Sequence, residues 1–210
     1  MVTKAKYFLL YLFLLSTGFI CSCAGPQIFK PKPVDIIKPL DSYESAIQRD
    51  VAQMAYPGMT EIIDEMAVRL PENSYNFVNH GLRIQELMSG APGEPGFYLT
   101  IEMNVHRGFR DGDTYLAESE GITRYYLQDT LVSISRDWNR LLSPTFAGSH
   151  VIFHWKRNSL MLLLATEDIQ SYLNAQISLQ ELVDRNWVEG EERDESLGRI
   201  ELNHLNEQQF

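Results

Sequence analysis

Apolar positions change their spacing several times along the chain, and each change predicts an element. "DSYESAIQRDVAQMAY", from Asp41, puts Ile47, Val51 and Met54 on one helical face behind an Asp41-x-x-Glu44 start that resembles a capping box. Pro57-Gly58 predicts a break. Thr60 then caps a second helix with the stripe Ile62, Ile63, Met66, Ala67 and Leu70, which Pro71 ends. A short third helix is expected over 78–88. "SGAPGEPG" (Ser89 to Gly96) is a loop. In "FYLTIEMNVHR" the period falls to two, with Phe97, Leu99, Ile101, Met103 and Val105 alternating with Tyr98, Thr100, Glu102, Asn104 and His106. That is a strand with one buried and one wet face.

Residues 108–121 are polar and read as a loop. Leu127, Leu131, Ile134, Trp138 and Leu141 return to helical spacing. "GSHVIFHWKRNSLMLLLAT" then holds two apolar runs on either side of Arg157-Asn158-Ser159, the pattern of a β-hairpin. Thr166 caps "EDIQSYLNAQ", and Ser178-Leu179-Gln180-Glu181 is a capping box opening a last helix to about Trp187. "RIELNHL" (Arg199 to Leu205) fits an edge strand. Runs of helix, strand, helix, hairpin and helix indicate an α+β fold, with helices packed on one face of a small, mainly antiparallel sheet. The single domain is expected over 41–188, followed by an acidic tail over 189–210.

The first residues follow a different order. Lys4 and Lys6 precede a charge-free apolar run, Tyr7 to Ala24, that ends in small residues. This is the layout of a secretory signal peptide. Its end, Ile20-Cys21-Ser22-Cys23, resembles the lipobox of bacterial lipoproteins, with an aliphatic residue three before the acceptor cysteine and a small one just before it. The resemblance implies that residues 1–22 are removed and that Cys23 is lipidated and becomes the new N-terminus. Ala24, where an Asp tends to mark inner-membrane retention in such proteins, implies the outer membrane. An uncleaved anchor is the alternative, because 18 uncharged residues are at the lower limit of a spanning helix. A metal at Cys21 and Cys23 lacks further thiol ligands, since the chain has only these two cysteines.

Residues 23–40 then read as a lipidated cysteine and a tether. Four prolines (Pro26, Pro31, Pro33, Pro39) favour an extended chain, which at ~3.1 Å per residue reaches up to ~50 Å. Lys30, Lys32 and Lys38 make it locally basic, and its expected role is that of a spacer.

Charge narrows the partners. The formal net charge of -10 disfavours nucleic acid, which is bound through basic surfaces. A lipid bilayer remains accessible through acylated Cys23, because acyl chains partition by the hydrophobic effect.

The search for chemistry yields little. His150 and His154, on one strand face, would lie ~13 Å apart, too far to share a metal. The stretch from Asp111 to Ile122 has the look of a calcium loop. It puts Tyr115, Leu116 and Ile122 where an oxygen donor, Gly and Glu are needed. Asp111, Asp113, Glu118 and Glu120 therefore read as a solvated acidic turn. Ser149 and His150 point to opposite faces of a strand and make no dyad. There is no G-x-S-x-G and no phosphate-binding glycine loop. Tyr125-Tyr126 and Phe153 with Trp155 read as core. A pair such as Glu102 with Glu120 depends on the fold. No catalytic, cofactor or metal residue is assigned. The expectation is a non-enzymatic binding or assembly subunit of an envelope complex, with another envelope protein as partner. The alternative is a periplasmic hydrolase or small-ligand module whose site forms only on folding.

Overall fold

The structure, a computed structural model, describes residues 36–89, 93–107, 114–135 and 145–192, without the side chains of 191 and 192. The lipobox-like stretch with Cys23, most of the expected tether, Asp111, Asp113, Trp138, Leu141 and the strand expected over 199–205 lie outside them.

Chain order is a 3-10 turn at Leu40–Ser42, helix α1 (Ala46–Arg69), strands β1 (Tyr75–Leu87) and β2 (Gly96–Val105), and helix α2 (Tyr115–Ile122). A π-helical turn, Thr123–Leu127, leads into α3 (Gln128–Ser135). Strands β3 (Phe146–Trp155) and β4 (Asn158–Ala165), helices α4 (Thr166–Leu173) and α5 (Leu179–Arg185), and strand β5 (Trp187–Glu192) follow. The sheet order is β1-β2-β3-β4-β5. Three pairs are antiparallel and the central β2–β3 pair is parallel. The fold is α+β with a mainly antiparallel sheet, as the alternating runs of helix and strand predict.

Helix α1 is one helix, not two. Its N-cap is Ser45, whose side chain accepts from the Gln48 backbone N–H, so Asp41 and Glu44 form no capping box. Pro57 sits inside on the exposed side, where the lost backbone bond faces water. The buried stripe of Val51, Ala52, Ala55, Met59, Ile62 and Met66 continues in phase through it. Packing on one continuous face outweighs the proline. Thr60 is a mid-helix residue whose hydroxyl donates to the Tyr56 carbonyl.

The expected third helix is strand β1. Its register on β2 shifts between Phe77 and Leu82, at a bulge with His80 at φ 56°. Gly81 is required there, since a Cβ would lie 2.4 Å from the Glu102 carbonyl oxygen. The expected loop over 108–121 contains helix α2 instead. The hairpin turn falls at Lys156-Arg157, so Asn158 and Ser159 already belong to β4. Thr166 does not cap α4, because its hydroxyl donates to the Phe146 carbonyl. The Ser178–Glu181 capping box is present, and α5 ends at Arg185.

Leu82, Ile84, Leu99, Ile101, Met103, Val151, Phe153, Leu160 and Leu162 meet the helices in one core. Ile36 and Ile37 belong to it too, so the ordered fold begins before Asp41. The opposite sheet face is drier than its alternation predicts: Tyr98, Thr100, Ile152 and Leu163 are buried there. Glu189 and Gly190, in the stretch read as tail, form part of β5 and are buried.

Candidate functional site

Two regions gather polar or accessible side chains. The first is a polar row on the sheet face away from the helices. Register sets Arg83 beside Thr100 and Thr100 beside His150, while Glu102 and His154 follow two and four positions on. Glu102 Oε2 accepts from Arg83 Nη1 at 2.6 Å, and Glu102 Oε1 lies 2.8 Å from His154 Nε2. Arg83 Nη1 also donates to the His80 carbonyl. Gln85 Oε1 accepts from the Thr100 hydroxyl and lies 3.1 Å from His150 Nδ1. The His154 hydrogen bond, aided by Arg83, outweighs burial and holds the Glu102 carboxyl down to about 2. Burial, with Arg83 adding to it, pushes His150 down to about 4, so the ring is neutral at pH 7.

This row resembles a site but is closed on itself. Both Glu102 oxygens are engaged, and a carboxylate held near 2 is a poor general base. His150 and His154 share a face yet bind different partners, Gln85 and Glu102. Ser149 lies on the core side, opposite Leu99 and Leu164, so it makes no dyad with His150. Its hydroxyl is buried with no hydrogen-bond partner among the described residues. His106 is exposed against Asn76, and His204 is outside the described residues. Among the described residues, no three His, Cys, Asp or Glu side chains are placed to hold a metal.

The second region is a cleft of ≈ 330 Å³ on the helix side. That volume is at the lower end of ligand-binding pockets. Its floor is Leu160 and Leu162 of β4 and Val188 of β5. Its walls are α2 with the π-helical turn (Ser119, Glu120, Thr123, Arg124) and α5 (Leu179, Gln180, Val183).

Each wall is fixed from behind. Glu118 is a buried acceptor, not part of a solvated turn: its carboxylate takes Trp155 Nε1 at 2.8 Å and Lys156 Nζ at 2.7 Å. The Tyr115 hydroxyl donates to the Ser159 carbonyl, and its ring stacks on Trp155. These contacts clamp α2 to the β3–β4 hairpin. On the other wall, Asn186 accepts from the Ala165 N–H and donates to Asp168 and to the Leu182 carbonyl, fixing α5 against β4 and α4.

The π-helical turn places Tyr126 and Leu127 side by side in the core, both fully buried. Tyr126 donates to the Ser74 carbonyl and accepts from the Arg107 N–H, while its neighbour Tyr125 stays partly exposed. The same turn carries Thr123 and Arg124 to the cleft.

The polar rim is satisfied internally. The Ser119 and Thr123 hydroxyls donate to backbone carbonyls one turn back, Glu120 pairs with Arg124 at 3.7 Å, and Gln180 donates to Asp184. What remains on offer is aliphatic surface. Glu120 and Glu102 form no catalytic pair, since each is paired with its own arginine.

No helix among the described residues is long and apolar enough to cross a membrane. Compared with known proteins, the chain matches no family model, no curated protein and no solved structure. The cleft was not legible in the sequence. Its lining comes from four separate elements, and the only local signal was the near-continuous apolar run from Leu160 to Ala165.

Proposed function

We propose that this chain is an envelope lipoprotein, held at a bilayer by acylated Cys23, whose domain is a non-enzymatic binding or assembly subunit. The address rests on the lipobox-like Ile20-Cys21-Ser22-Cys23 and on Ala24 after it, which favours the outer membrane. The observation that carries the binding role is the contrast between the two regions. The titratable groups are locked in mutual hydrogen bonds, whereas the accessible concavity is aliphatic with a self-satisfied rim. Such a surface favours contact with another protein over bond-making chemistry. A hydrolase reading would draw on His150 and Glu102, and neither offers a poised base.

Replacing Cys23 with Ser tests the anchor. The expected result is loss of the processed form and release from membranes. Full membrane retention with unchanged processing would overturn the lipoprotein reading.

A further inference from the structure

The two stretches that flank the described domain join it at opposite sides of the sheet. The chain before 36 enters at β1, where Ile37 bridges to Leu82. The chain after 192 leaves from β5, beside the aliphatic cleft. Register pairs Glu192 with Asn158 and Gly190 with Leu160, so this exit is two positions along from the cleft floor. Asn158 Nδ2 donates to Glu118 at 3.4 Å, which sets the exit against α2, one wall of the cleft.

The cleft sets the chemistry of what covers it. Leu160, Leu162, Val183 and Val188 offer aliphatic contact, and the rim hydroxyls of Ser119 and Thr123 are satisfied within the chain. An occupant therefore brings apolar side chains and needs no polar partner there. Residues 193–199 are mostly polar, but Ile200, Leu202 and Leu205 follow directly. Ile200 and Leu202 are two apart, the spacing that puts both on one side of an extended segment and leaves Glu201 and Asn203 to water. Reach is sufficient. Residues 193–199 span up to ~24 Å, whereas Leu162 lies ~13 Å along β4 from Asn158.

We infer that residues 199–205 of this chain fold back over the cleft and seat Ile200 and Leu202 against Leu160, Leu162 and Val188. A segment tethered this close has an effective concentration of about millimolar, so a modest apolar fit keeps it in place. Another protein that uses the cleft must displace it. The inference goes beyond the binding-subunit reading, which leaves the occupant of the cleft open, and makes this docking surface a covered one.

The test puts a photo-crosslinking amino acid at Leu179, on the cleft wall, in the full chain in cells, and maps the adducts by peptide mass spectrometry. The expected product is monomeric, with position 179 joined to residues 199–205. Two variants check the fit. Ile200→Asp with Leu202→Asp should lower that adduct about fivefold or more. Val183→Lys, in the cleft wall, should lower it similarly, with a thermal melt reporting that each variant is folded. An adduct unchanged in either folded variant would overturn the inference, because tethering alone would then account for it. An adduct joining two copies of the chain overturns it in favour of a dimer. Capture of a different protein, with no adduct to 199–205, overturns the cover and leaves the binding-subunit reading standing. No adduct at position 179 overturns the cover as well.

Discussion

The two edges of the sheet are finished differently. On β1, the outward groups of Leu82 and Ile84 are occupied by the chain that precedes α1 and by α1 itself. Lys38 N–H donates to the Leu82 carbonyl at 2.9 Å, Ile84 N–H donates to the Tyr43 hydroxyl at 3.0 Å, and Gln48 Nε2 donates to the Ile84 carbonyl at 2.9 Å. Ile37 adds a parallel bridge to Leu82. At the other end of the sheet, an apolar cleft includes Val188 of β5. An exposed edge risks unwanted pairing, and folds usually block it. The difference teaches that β1 is closed by its own chain, while β5 borders an accessible apolar surface.

The strongest way to break the contrast is to open β1. Tyr43 is almost fully buried, so Tyr43→Ala loses a large core side chain and a hydrogen bond together. The expected loss is about 3–5 kcal/mol in urea unfolding, with new concentration-dependent aggregation. Unclamping the opposite half is the next test. Glu118→Ala strands Trp155 Nε1 in the interior and frees α2 from the hairpin. About 2–4 kcal/mol should be lost, with a shift in tryptophan fluorescence.

Acid should loosen the β1 side in two stages. Between pH 6.5 and about 4 the unfolded chain protonates His150 while the fold keeps it neutral, so stability falls as pH drops. Between pH 4.5 and about 2 the same sign holds for Glu102, whose ionised form the fold favours through His154 and Arg83. Each stage is worth on the order of 1–2 kcal/mol after solvent screening. Glu102→Gln should flatten the lower stage in pH-dependent melts and, by removing a charge that favours protonated His150, extend the upper one to lower pH. Gln48→Ala, which uncovers only the Ile84 carbonyl, should cost about 1 kcal/mol by urea unfolding. The smallest stability effect belongs to β5's side. Val183→Lys, partly exposed, should change unfolding by about 0.5 kcal/mol or less.

Much of this architecture was readable where one period held without interruption. The alternation from Phe97 to Val105, the hairpin's two apolar runs and the Ser178–Glu181 box each depend on neighbours a few residues away. Strand β1 reads as a helix in the sequence because Phe77 and Leu82 flank a bulge. Their odd spacing hides a period of two, and His80 and Gly81 give no apolar cue. The single α1 reads as two helices because Pro57 is a strong local signal, and the face that overrides it exists only against the sheet. Helix α2 was hidden by acidic residues, of which Glu118 turns inward to meet Trp155 and Lys156. The polar row was unreadable for a related reason. Arg83, Glu102 and His154 come from three strands, and only the register joins them.

The parallel seam between β2 and β3 has a kinetic consequence. The antiparallel pairs on either side join neighbours in sequence, but the seam must close over the 40-residue crossover of residues 106–145. Closing a long loop costs entropy before its contacts form, and non-local pairing slows folding. The two hairpins can therefore assemble early as separate halves, each with one strand waiting. Until Tyr126 reaches Ser74 and fastens the crossover, the halves are free to mispair with other chains. Non-local closure predicts that pairing of β2 with β3 is the slow step, so Tyr126→Phe, which loosens the crossover, should slow refolding in stopped-flow fluorescence.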